Sequence, residues 1–109
     1  MYVPQRGDFI WLRFDPQAGH EQIGNRPALV VSHDRFNAKL GFAVVCPISN
    51  TQRQNPFYIP IPTGNPVTGV IMADQLRSLD FKARQAQFIA HCPNLLLQDV
   101  LRRIKPILF

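Results

Sequence analysis

At 109 residues the chain has room for one domain, residues 1–109, with a single modest core, so whatever it does must sit on one small scaffold. Lysine and arginine total 12 against 7 acidic residues, a net charge of +5 that favours a polyanionic partner, either nucleic acid or an acidic peptide. No apolar run approaches the ~20 residues of a membrane span and the start MYVPQ lacks a signal-peptide core, which argues against a membrane and for a cytoplasmic location.

The predicted elements are mostly short strands. Residues 9–14 alternate apolar and mixed side chains, while residues 28–32 and 42–47 are nearly continuous apolar runs, the pattern of central strands covered on both faces. Residues 57–62 alternate aromatic or branched residues with prolines; proline donates no ladder hydrogen bond, so this segment belongs at an edge. Residues 70–76 and 86–90 supply two more strands. Helical periodicity is convincing only at the end. Pro93 and Asn94 start a helix in which Leu96, Val100, Leu101, Ile104 and Leu108 recur at three- or four-residue steps, with Arg102, Arg103 and Lys105 mostly opposite. Pro106 is expected to break or kink it. The 10 prolines fall between or at the ends of these runs and mark turns, so the pattern predicts a small curled sheet or barrel closed by one helix. Cys46 and Cys92 lie far apart with no Cys-x-x-Cys pair and read as buried apolar residues.

The most informative segment is residues 19–32, GHEQIGNRPALVVS, where a polar, glycine-punctuated loop delivers an arginine into an apolar strand. Pro27 forces Arg26 into extended geometry, and the guanidinium is a permanently charged fork of donors that matches phosphate. From the segment alone, Arg26 reads equally well as a surface arginine ending a loop. His20, His33 and His91 lack the close spacing with carboxylates or thiolates of a metal centre, so no metal or cofactor is expected.

Context adds a second line. GDFIWLRFDP at residues 7–16, RPALVVS at 26–32, AVVCPISNT at 43–51, NPF at 55–57, GVIMADQLRSL at 69–79 and the closing amphipathic helix together resemble the PemK/MazF family of toxin–antitoxin ribonucleases, in the family's order and over nearly the whole chain. The resemblance implies a mainly β fold with short helices (α+β): an SH3-like, partly open barrel of the PemK/MazF/CcdB type with a C-terminal helix, usually a homodimer. It also implies a sequence-selective, metal-independent endoribonuclease acting on single-stranded RNA and held inactive by a cognate antitoxin.

Such cleavage uses the neighbouring 2′-hydroxyl as nucleophile, so the protein must help remove its proton, stabilise charge on the phosphate oxygens and protonate the leaving 5′-oxygen. Arg26 suits the charge-stabilising role. Ser49 matches the position where the family carries a catalytic threonine or serine, and its hydroxyl can bond a non-bridging phosphate oxygen. Glu21 is the candidate proton acceptor, if desolvation raises its pKa, with His20 beside it as the other candidate or as a solvated loop residue. The RNA-binding set is His20, Gln22, Asn25, Gln75, Arg77 and Arg84, with Gln75 reading a base edge and Arg77 or Arg84 holding phosphate; the competing reading of Gln75 and Arg77 is a solvated sheet face. Phe57 and Tyr58 either stack on bases or complete the core or dimer contact. For that contact the candidates are Phe57, Ile59 and Ile61 with the helix face carrying Leu97 and Leu101, surfaces that a monomer could equally bury internally. Two other functions fit the same scaffold: a non-catalytic poison like the toxins that trap DNA gyrase, and an SH3-like peptide-binding module. The first needs neither Arg26 nor Ser49, and the second wants an exposed aromatic groove, whereas Trp11, Tyr2, Tyr58 and the phenylalanines read mostly as core.

Overall fold

The computed structural model describes residues 1–13 and 25–109. In chain order it contains β1 (Asp8–Arg13), β2 (Asn25–Val30), α1 (Asp34–Leu40), β3 (Phe42–Ser49), β4 (Tyr58–Pro60), β5 (Val70–Met72), a 3-10 turn (Ala73–Gln75), β6 (Arg77–Asp80), β7 (Gln87–His91) and α2 (Asn94–Leu108). All pairings are antiparallel. The strands run β4-β5-β3-β2-β1-β7, with β6 also on β3, so the sheet curls without closing and β4 lies at an edge, where its prolines predict it.

β3 is the pivot. One side of it carries β2, paired from Ala28↔Pro47 to Val30↔Val45. The other side carries β6 along residues 42–45 and then β5 along residues 48–49. Side chains alternate between faces, and the alternation builds two cores. Phe9, Leu29, Cys46, Ile48, Ile59 and Ile71 point to one face and are sealed by Leu96, Val100 and Ile104 of α2. Ile10, Leu12, Ala28, Val30, Ala43, Val45 and Leu79 point to the other and pack among themselves and Phe81 inside the curl. Both cysteines are free and buried.

The structure departs from the predicted elements in four places. α1 has no apolar periodicity because its buried residue is Asn37, while Phe36 and Leu40 are exposed; caps define it instead, His33 accepting from the Arg35 amide and Gly41 ending the helix at φ 74°. Residues 70–76 form a three-residue strand and then a 3-10 turn, and β6 follows as a separate strand. Pro106 does not end α2, which runs on to Leu108. It sits in the last turn, where a missing N–H costs one bond, and Phe109 N–H still donates to the Lys105 carbonyl. Finally, Ile59 and Ile61, expected at a contact between two copies, are buried within one chain, while Phe57, Leu97 and Leu101 pack partly buried on the same core. Several aromatics expected in the core are instead exposed, among them Phe36, Phe42, Phe88 and Phe109. Among the described residues no helix is long and apolar enough to cross a membrane.

Candidate active site

Arg26 is the second residue of β2 and pairs with Leu12 of β1. It shares the face of Ala28 and Val30 but stands past the end of their packed core, exposed. Side-chain alternation puts Arg26 and Ser49 on that same face, each two residues beyond the last β2–β3 pair, Ala28↔Pro47. Ser49 ends β3, half-buried, where the strand leaves β2 and pairs with Val70 of β5. Its Oγ accepts from the Thr51 amide at 3.2 Å, which turns the chain away from the sheet and leaves the hydroxyl proton free to donate. Among the described residues nothing hydrogen-bonds the Arg26 guanidinium.

Gly69 fixes this corner. At φ 117° it has a backbone that only glycine adopts readily, and a Cβ there would lie 2.4 Å from the Ser49 carbonyl oxygen. In the sequence Gly69 is marked only as the first residue of GVIMADQLRSL, a glycine directly preceding a short apolar run.

The face continues into an open cleft of about 350 Å³ bounded by residues 51–55, Tyr58, Pro60 and Val70. Ser49, Val70, Pro60, Tyr58 and Met72 follow one another across directly paired positions, so this cleft adjoins Ser49 on the Arg26 face, opposite α2. Tyr58 is buried and its hydroxyl receives the Gln75 amide at 3.1 Å. Gln75, exposed on the 3-10 turn, is thereby tied to the cleft rim. Tyr58 is thus a positioning wall of the cleft rather than an exposed stacking platform.

The remaining predicted residues are placed unequally. Asn25 precedes Arg26 on β2, exposed, opposite Arg13. Arg84 lies on the turn that abuts the same end of β1, its Nη1 donating to the Arg13 carbonyl at 3.2 Å and its carbonyl accepting from the Arg13 amide. Arg77 is exposed opposite Val45, four residues from Ser49 along β3, or about 13 Å of strand. It shares the face but not the immediate vicinity of Ser49. His20, Glu21 and Gln22 lie outside the described residues. Asp80 has a structural role, its carboxylate accepting from the Lys82 and Ala83 amides. Among the described residues no three His, Cys, Asp or Glu side chains gather as metal ligands would.

An arginine and a serine near the ends of neighbouring strands, beside a polar cleft on a basic protein, offer hydrogen-bond donors of the kind that suit a phosphate. Residues 5–108 match the family model of PemK-like, MazF-like toxins of type II toxin–antitoxin systems. The chain belongs to that family. It is 41% identical over 85 residues to the endoribonuclease toxin MazF of Escherichia coli K12, covering 78% of this chain and 76% of that one. The crystal structure of MazF from Deinococcus radiodurans superposes with a TM-score of 0.88 at 41% identity, over 99% of this chain and 98% of that one. A MazE–MazF crystal structure from the same organism gives 0.87 at 34% identity, covering 99% and 97%. The PemK/MazF fold expected from the sequence is the fold observed.

Proposed function

We propose that this endoribonuclease toxin cleaves single-stranded RNA in the cytoplasm, without a metal ion, on the face that carries Arg26 and Ser49. The 2′-oxygen bonds to the adjacent phosphorus, the P–O5′ bond breaks, the leaving 5′-oxygen takes a proton from water, and the products are a cyclic phosphate and a 5′-hydroxyl. Arg26 neutralises the charge that builds on the non-bridging oxygens; a guanidinium with a pKa above ~12 serves this better than proton transfer. The Ser49 hydroxyl donates to one of those oxygens. Glu21 takes the 2′-hydroxyl proton, and His20, Gln22 and Asn25 hold the RNA from the same loop, with Gln75, Arg77 and Arg84 engaging the strand on either side. The observation that supports this reading best is that Arg26 and Ser49 stand on one face, just past the end of the β2–β3 pairing, beside the cleft.

Residues 1–109 work as one domain, two copies of which pair into a homodimer that lengthens the basic path. A cognate antitoxin is the protein partner that family membership supports: an acidic, disordered segment folding over a basic groove would cover the RNA path.

Purified, antitoxin-free protein incubated with a long naked RNA in excess EDTA, with the new ends mapped, tests the proposal. Undiminished cleavage at a short recurring sequence, with 5′-hydroxyl downstream ends, is expected. Activity that disappears with chelator and returns with Mg²⁺ or Mn²⁺ would contradict it.

A further inference from the structure

The loop that bounds the cleft is tied to the opposite side of the molecule. At its start, Ser49 Oγ accepts from the Thr51 amide and Thr51 Oγ1 from the Arg53 amide. At its end, Asn55 closes a turn, its Oδ1 accepting from the Phe57 amide at 2.7 Å and its carbonyl from the Tyr58 amide at 2.9 Å. The carbonyl between those two turn residues, Pro56, accepts from the guanidinium of Arg103. Arg103 belongs to α2, which packs on the face away from Arg26 and Ser49. One helical turn earlier, Asp99 approaches the Arg103 Nε at 3.7 Å while accepting from Arg102 at 2.8 Å.

We infer that Arg103 is a positioning residue for the RNA cleft: it latches the loop over residues 51–55 from behind, and Asp99 aims it. The inference rests on the reading of that cleft as the RNA path. The geometry favours positioning over direct contact. The guanidinium is committed to a backbone carbonyl, with a carboxylate beside it that would repel phosphate. A half-exposed arginine whose bond lies at the hinge of a loop acts on what the loop holds. Releasing it should weaken the placement of the bases while leaving the reacting phosphate, held by Arg26 and Ser49, almost untouched.

The test uses the full chain and two oligoribonucleotides, one carrying the mapped cleavage sequence and one altered at a single base. Arg103→Met keeps the apolar stem and removes the donors. It should lower kcat/KM on the matched oligonucleotide by roughly tenfold, mostly through KM, and narrow the discrimination between the two. Arg103→Lys, which keeps a donor and the charge, should recover most of both. Asp99→Ala separates positioning from bulk charge: removing a carboxylate raises the net charge and would tighten RNA binding electrostatically, whereas loss of aim should weaken it. Amide hydrogen exchange on the RNA-free protein reads the latch itself, with faster exchange in Arg103→Met at Arg53, Phe57 and Tyr58, whose amides close the turns of the loop, and no change across α2. Parental selectivity and kcat/KM in Arg103→Met would overturn the proposal. So would unaltered loop exchange, or tighter RNA binding by Asp99→Ala. A parent chain that cuts neither oligonucleotide nor long RNA would refute the functional reading, and the exchange measurement would still decide the latch.

Discussion

The two ends of the β1–β2 ribbon treat their polar side chains differently. At the end where β1 begins and β2 finishes, polar groups are buried and satisfied internally. Asp8, 2% exposed, accepts from the Tyr2 hydroxyl at 2.6 Å and the Gln5 amide at 3.0 Å, with His91 Nδ1 at 3.2 Å. Asn37, fully buried, donates to the carbonyls of Pro4 and Ser32 and accepts from the Ser32 hydroxyl. Burial, then the hydrogen bond to Asp8 and its charge, push the Tyr2 phenol up. At the other end Arg26 and Asn25 are exposed and Ser49 is half-buried. Polar groups that satisfy one another hold a fold together; the Arg26 guanidinium, without a hydrogen-bond partner among the described residues, and the Ser49 hydroxyl proton are available to a ligand.

That contrast predicts a separation of stability from activity. The largest effect should come from Arg26→Ala and Ser49→Ala. Each is expected to slow RNA cleavage, on the order of a hundred- to a thousandfold for Arg26, the loss that follows removal of one preorganised charge-stabilising donor. Melting temperatures should stay within about 2 °C of the parent, as befits exposed groups at strand ends. The mirror-image variant is Asn37→Ala. It leaves the Pro4 carbonyl and both Ser32 groups short of partners inside the protein, costing about 2–4 kcal/mol, or on the order of 10 °C in melting temperature. Cleavage per folded molecule, measured below the transition, should be unchanged.

Gly69→Ala tests the boundary between the two behaviours. Its Cβ meets the Ser49 carbonyl oxygen at 2.4 Å, so both stability and cleavage should fall, with Ser49 displaced; a variant that loses neither would remove Gly69 from the account. The smallest effect concerns the thiols. Burial, then the nearby Asp74 carboxylate, pushes Cys46 up from 9.0 to about 12, and burial pushes Cys92 up to about 11. The folded state therefore binds these protons more tightly than the unfolded one. Their contribution to stability is complete below pH 9 and is lost as pH rises toward 11–12. Denaturant titrations between pH 8 and 11 should show that decline, flattened in Cys46→Ala, and neither thiol should alkylate readily at pH 7.

The sequence disclosed what repeats along a strand or helix and missed what depends on single contacts. The apolar runs at residues 28–32 and 42–47, the prolines of residues 57–62 and the α2 periodicity mark real elements because burial acts on every second, third or fourth residue. α1 was invisible because its one buried side chain is an asparagine and its caps are single residues. Arg26 and Ser49 were legible through local pattern and family resemblance, but their common face comes from a β2–β3 register that neither strand states alone. The Gly69 approach, the Gln75–Tyr58 bond and the Arg103 latch join segments distant in the chain, and no local pattern encodes them.

Which end of the ribbon receives RNA is the central question, and NMR titration answers it most directly. The probe is an oligoribonucleotide carrying the mapped cleavage sequence with a single 2′-deoxy substitution at the cut, which removes the nucleophile and leaves an intact ligand. Amide shifts should concentrate at Asn25 and Arg26, at Ser49 and residues 51–55, and at Val70. Shifts centred instead on Asp8, Asn37 and His91, with Arg26 and Ser49 unmoved, would contradict the account.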